Sequence, residues 1–207
     1  MKKIKLWSMM MLTLMVLPMM VACNSDDDND DSDSSITVEL TTANKTEDGY
    51  FDGMMYYKIT SNSPAEVQIN KADKSVINVE IPSNIKIDGK KYKCTSIGDY
   101  AFDDRKNLSS VTIPNSVTSI GHCAFRYCYS LTSVTIPNSM TIIKNFAFGA
   151  CSNLTFIRCK AQTPPEIDYG TFNSGVPEKA TLYIPKGSIS AYQAKDHWKE
   201  FKNIVEE

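Results

Sequence analysis

Histidine is scarce in this chain: among 207 residues there are only His122 and His197. Neither stands in a motif with a Ser, Cys or carboxylate partner, and no phosphate loop or metal-ligand spacing occurs. Nucleophilic, phosphoryl-transfer and metal-assisted chemistry therefore lack their usual residues, and the sequence predicts no enzyme, no cofactor and no metal site. Charge of one sign is missing too. Lys and Arg number 22 against 24 Asp and Glu, and the two nearly cancel once Lys2, Lys3, Lys5 and one Asp-rich tract are set aside. Without a basic stripe there is nothing to grip a phosphate backbone, which excludes a nucleic-acid partner. Long apolar runs are absent except from Leu6 to Val21, which is too short for a comfortable membrane span. The chain as a whole, 42% hydrophobic and 22% charged, has an ordinary globular balance.

The one apolar run follows three lysines, as in a secretory signal, here residues 1–22. It ends in Met20, Val21, Ala22 and Cys23, which resembles the lipobox of bacterial lipoproteins. The resemblance implies that Cys23 is lipidated, becomes the first mature residue and anchors the protein to a membrane. From Asn24 to Ser35 there is no apolar residue, so 23–35 reads as a solvated tether. Within it Ser25, Asp26, Asp27 and Asp28 resemble the acidic export signal that sends some lipoproteins to the outer face of the outer membrane. A calcium loop is the weaker alternative, because the tract has neither the Gly turn nor the terminal Glu.

The body of the chain is organised by repetition. LSSVTIPNSVTSIGHCAFRYCYS, from Leu108 to Ser130, returns as LTSVTIPNSMTIIKNFAFGACSN, from Leu131 to Asn153, a period of 23 residues. That period in an LxxVxI frame marks a leucine-rich-repeat solenoid. Aligned columns, such as Ile97, Ile120 and Ile143 or Phe102, Phe125 and Phe148, read as stacked core ladders. Val111 and Ile113 alternate with Ser and Thr, the period-two pattern of a strand with one buried face, and Pro114 ends the strand for want of an N–H.

Five rungs are expected, at 79–81, 111–113, 134–136, 157–159 and 182–184. The first carries an insertion, NIKIDGKKYKCTSIG, in its turn. Before it, residues 36–78 alternate as a small β-rich cap, which a solenoid needs to cover its first coil. Residues 79–207 are the solenoid, closed by a helix from about Ile189 to Trp198 with Ser188 as its N-cap. The fold class is thus mostly β, a right-handed repeat solenoid with a β-rich cap at one end and a helical cap at the other.

The phrases TSIGxxAF, SVTIPNSV and LYIPKGSISAY resemble the BspA-type leucine-rich-repeat family of bacterial surface proteins, over about Tyr56 to Val205. The resemblance implies display on the cell surface and, from the adhesins among its members, an unknown protein partner such as a host extracellular-matrix protein. Lys144 departs from the pattern where Gly98 and Gly121 stand, as does Arg105 where Cys128 and Cys151 stand.

The alignment puts Cys94, Cys123 and Cys159 in columns that other coils fill with apolar residues, so they read as small buried hydrophobes. Cys128 and Cys151 would stack at about 5 Å between Cα atoms, within reach of a disulfide, and their pairing stays open. His122 is expected on a polar surface column with its side chain diverging from Cys123. The outward strand positions, Ser110, Thr112, Ser133, Thr135, Phe156 and Arg158, form the expected binding face. Only the third coil offers an aromatic and a cation, and these either anchor a partner or pack against the C-terminal cap. A face of five strands has a projected area of roughly 400 Å², against about 800 Å² in a standard interface. An accessory role in the envelope and glycan binding are the other classes left standing; a single aromatic on the face counts against glycan.

Overall fold

The computed structural model describes residues 37–207, which belong to one compact unit. The signal expected at 1–22, Cys23 and the tract Ser25–Asp28 lie outside the described residues. No helix among the described residues is long and apolar enough to cross a membrane.

The chain begins as a β meander. Strands β1 (Thr37–Leu40), β2 (Lys45–Thr46), β3 (Gly49–Phe51), β4 (Met55–Asn62) and β5 (Ala65–Ala72) come first, with β2 to β5 paired antiparallel in sequence order. After β6 (Asn78–Glu80), the insertion in the first rung's turn folds as a hairpin of β7 (Asn84–Ile87) and β8 (Lys90–Ile97). β1 lies parallel against β7, and β8 lies parallel against β5. The hairpin therefore joins the cap to the solenoid. On its other edge β8 pairs in parallel with β10 (Ser119–Ile120), which continues to β12 (Ile142–Ile143) and β14 (Glu166–Ile167), so one ten-stranded sheet runs through both regions.

Facing that wall is the LxxVxI wall, made of β9 (Ser110–Thr112), β11 (Ser133–Ile136), β13 (Phe156–Cys159) and β15 (Thr181–Ile184) together with β6. All their pairings are parallel: β6 with β9, and β11 with β13 and then β15. Beyond the five rungs expected, a sixth strand, β16 (Asn203–Glu206), pairs with β15, with Leu182 opposite Ile204 and Tyr183 opposite Val205. Glu207 follows β16, where β6, β9, β11 and β15 are followed by a proline.

Between the walls the ladders form as the repeat requires. Phe102, Phe125, Phe148 and Phe172 are buried and stacked nearly parallel, with centroids 4.8, 5.1 and 5.2 Å apart. Phe172 then meets Trp198 and Phe201, which end the stack. The C-terminal helix is shorter than expected. α1 (Val176–Lys179) precedes β15, and α2 spans only Ile189–Ala194; Lys195 turns extended and His197 has φ of 64°, which swings Trp198 inward to donate to the Pro165 carbonyl at 2.8 Å. Ser188 holds the N-cap position without capping: its hydroxyl donates to the Pro185 carbonyl, and the Ile189 N–H is met by the Glu206 carboxylate at 2.9 Å.

Of the two departures from the repeat, Arg105 has a local cause and Lys144 has no structural explanation. Cys128 and Cys151 are free thiols, each donating to the phenylalanine carbonyl one coil back, Phe102 at 3.2 Å and Phe125 at 3.1 Å. At the corresponding place in the first coil Arg105 is buried and donates instead to the Ala72 and Asp103 carbonyls. An arginine reaches across to the cap where a thiol is too short. Gly98 and Gly121 are glycine because the coils touch there: a Cβ on Gly121 would lie 2.6 Å from the Asp99 nitrogen.

Candidate functional site

The outward strand positions named from the sequence lie on one face in two rows. One runs Asn78, Ser110, Ser133, Phe156, Thr181 and Asn203; the other runs Glu80, Thr112, Thr135, Arg158, Tyr183 and Val205. At the N-terminal end Ser109 and Ser110 both donate to the Asn78 side chain, at 2.8 and 2.7 Å, which ties those hydroxyls to the protein itself. Thr112 and Ser133 are exposed and Thr135 half-buried.

At the C-terminal end the face changes chemistry. The Phe156 ring stacks on Tyr183 with centroids 4.5 Å apart, and the Arg158 guanidinium lies over Phe156 at 5.3 Å. Arg158 is also held in a two-pronged pair by Glu207, whose hydrogen bonds push the guanidinium's pKa further up; one prong measures 3.0 Å. Phe156 and Arg158 therefore do pack against the C-terminal segment, yet both stay half-exposed, with Val205 beside them 42% exposed. A fixed aromatic pair clamped by a cation loses little side-chain freedom on contact, which is what an interface anchor needs.

Tyr183, Val205 and Glu207 stand on or beside this face and were not included in the sequence reading. Tyr183 was visible in principle, since it stands two places before Pro185, as Thr112 stands two before Pro114. It makes the aromatics on this face two instead of one. Val205 and Glu207 depend on β16, for which the repeat frame offers no sign.

The other singled-out residues divide. Cys94, Cys123, Cys128, Cys151 and Cys159 are all buried. Burial pushes the Cys94 and Cys151 thiols up to about 12, where they are inert. His122 does not diverge from Cys123: its Nε2 lies 3.2 Å from the thiol, because Cys123 adopts a φ of 53° that turns its side chain back. The His122 ring also sits against Tyr100 at 5.3 Å and Phe146 at 6.3 Å, rings of the neighbouring column, while its own column holds the polar Asp99 and Asn145. Among the described residues no group of three or more His, Cys, Asp or Glu side chains could hold a metal ion.

Two facing parallel walls joined by coils of 23 residues, with inward Val/Ile/Phe ladders and an outward hydroxyl face, define a leucine-rich-repeat solenoid, an architecture typical of binding scaffolds. The chain belongs to the family described as the BspA type leucine rich repeat region, which matches residues 72–193 in six copies. It is similar to a leucine-rich repeat protein of Bacteroides capillosus at 27% identity, with a TM-score of 0.58 over 67% of this chain and 99% of that one. A leucine rich cell surface protein of Faecalibacterium prausnitzii, 24% identical, shares the fold with a TM-score of 0.50 over 68% of this chain and 45% of that one. The leucine rich repeat protein of T. pallidum, at 22% identity and a TM-score of 0.51, covers 66% and 72% of the two chains. No curated protein matches.

Proposed function

We propose that this protein is a lipid-anchored binding module of the outer cell surface, and that it takes a protein partner, such as a host extracellular-matrix protein, on the C-terminal end of its strand face. The observation that carries the reading is the half-exposed Phe156–Tyr183 stack clamped by Arg158 on a face otherwise built mostly of Ser, Thr and Asn. Aromatic and Arg side chains dominate interface energetics, while short hydroxyls offer adaptable contacts of little area. Six strands of three or four residues give a face of roughly 350 Å², well short of the about 800 Å² that a partner normally covers. A single copy would then bind weakly, and lipid tethering through Cys23 would supply avidity by presenting many copies at once. The acidic stretch Ser25–Asp28 fits export to the outer face, and the family includes surface proteins.

The test is a pull-down with residues 34–207, the compact unit, against matrix proteins and the cell's own envelope fraction. A partner held as proposed should lose about 1 to 2 kcal/mol of affinity to Phe156→Ala or Tyr183→Ala and nothing measurable to Thr112→Ala. Nanomolar binding by the monomer that survives both aromatic substitutions would refute the site. Cys23→Ala should abolish fatty-acid labelling, and Ala at Asp26, Asp27 and Asp28 should lower protease accessibility on whole cells; labelling of the Cys23 variant would refute the anchor.

A further inference from the structure

The LxxVxI wall ends on an open edge. β16 stands last in the sheet that runs β11, β13, β15, β16, and no described segment pairs with its far side. The bonds to β15 fix which backbone groups are left over. Glu207 donates its N–H to the Ile184 carbonyl at 2.9 Å and accepts from the Lys186 N–H at 3.2 Å, so Glu207, and Val205 two places before it, turn their polar groups toward β15. Ile204 and Glu206, at the alternate positions, turn theirs away from it. Two N–H and two C=O groups therefore line the edge, a template for another strand.

Sheet edges are commonly blunted by proline, by lysine or by a charge that points inward. β16, with the sequence NIVE, has neither proline nor lysine. Its one inward charge, Glu206, is folded back onto the Ile189 N–H at 2.9 Å, and the charge of Glu207 just beyond it is met by Arg158. On the outward side Val205 stands 42% exposed beside Tyr183, an apolar side chain at the rim of the face with nothing beyond it.

We infer that β16 pairs antiparallel with β16 of a second copy of this chain. The strand is complementary to itself about a two-fold axis through Val205. Ile204 of one copy falls opposite Glu206 of the other, and their free N–H and C=O groups close four backbone bonds across the axis. Val205 meets its own counterpart at a non-hydrogen-bonded position, where side chains come closest, and the two exposed valines cover each other. Asn203 falls opposite Glu207 of the second copy, an amide donor against a carboxylate, and no like charges stand directly opposite. The bare edge would suit any strand; this match of side chains is what selects a second copy. With four residues a side the contact is small, so the pairing is weak in free solution and gains where copies are crowded. Pairing joins the two strand faces edge to edge, and the row Arg158, Tyr183, Val205 runs on into Val205, Tyr183, Arg158 of the second copy. The joint face measures roughly 700 Å², close to the about 800 Å² of a standard interface. That gain in binding face rests on the function proposed above; the pairing itself does not.

Cysteine trapping tests the pairing on the full chain in detergent, with Cys23→Ser removing the one cysteine outside the described residues; the other five are buried. Across the axis the two Val205 Cα atoms would lie about 4.5 Å apart, within the range of a disulfide. Asn203 would lie roughly 13 Å from its counterpart, out of reach, and Thr112 farther still. Under mild oxidation Val205→Cys should form a reducible dimer about tenfold or more faster than Asn203→Cys or Thr112→Cys, since only it meets the geometry of the bond. In sedimentation at up to millimolar concentration, Val205→Lys, which sets two cations on the axis, should lower the dimer fraction. No binding partner enters either measurement, so their failure sinks the pairing and leaves the reading of the strand face standing. The inference is overturned if the three cysteine variants cross-link at equal rates, if Asn203→Cys outpaces Val205→Cys, or if Val205→Lys leaves the dimer fraction unchanged. It is overturned equally if the pure chain stays monomeric while Val205→Lys removes a foreign protein in the pull-down, which would give the edge to that protein's strand.

Discussion

Phe125 stands in the middle of the aromatic ladder, fully buried, with Phe102 at 4.8 Å and 12° on one side and Phe148 at 5.1 Å and 4° on the other. Phe125→Ala removes its side chain from a close-packed column whose flanking rings are held by their own coils and cannot close the gap. Lost transfer energy and the residual cavity together cost about 3 to 5 kcal/mol. Two lost ring contacts of about 0.5 to 1.5 kcal/mol each push the value toward the upper end. A repeat protein couples its units through nearest-neighbour interfaces, so the substitution should also weaken communication between the halves of the stack. Urea unfolding followed by circular dichroism would read the whole molecule, while fluorescence of the buried Trp198 reads the C-terminal end. The expected result is a midpoint shift of that size in the first signal and a smaller shift in the second, with a reduced m-value. The outward Thr112→Ala serves as control and should stay within about 0.5 kcal/mol. Equal losses from the two substitutions would refute the assignment of inward and outward faces.

Arg105→Ala should cost about 1 to 3 kcal/mol, because it strips the buried Ala72 carbonyl of its donors; protection of the β5 amides from hydrogen exchange would report it, and unchanged protection would count against the arginine's role. Stability should be flat below about pH 8.5 and fall as pH rises toward 12, since burial raises the thiol pKa of Cys94 and Cys151 to about 12 while an unfolded thiol ionises near about 8.5. The folded state cannot share in that ionisation, so the unfolded chain gains. Cys94→Ala with Cys151→Ala should reduce the loss measured by urea titration at pH 8 and pH 10, and an unaltered slope would assign it to other groups, the remaining buried thiols Cys123, Cys128 and Cys159 or the tyrosines. Gly121→Ala should disrupt the first two coils, because the added carbon meets the Asp99 and Gly98 backbones at 2.6 and 2.7 Å and neither can move alone; a melting temperature equal to that of the unsubstituted protein would show that the coils give more than this packing allows.

Periodicity alone determined the architecture. Columns such as Ile97, Ile120 and Ile143 recur at 23 residues because each coil must bury the same face against the next, and that constraint is written locally in every turn. Inward and outward faces followed from the same alternation, which is why Thr112 and Phe125 could be told apart before any coordinates. The hairpin at 84–97, the sixth strand and the partners of Arg105 were not legible, since each depends on contacts between segments far apart in the chain, with no repeat to announce them. The site divides the same way. Phe156 and Arg158 stood out as breaks in a Ser/Thr pattern, but whether they were free or paired turned on Glu207, 49 residues beyond Arg158. Only the tertiary structure decided that, and only it set β16 at the open edge of the sheet, because strand order is made by pairing between segments and no single coil contains it.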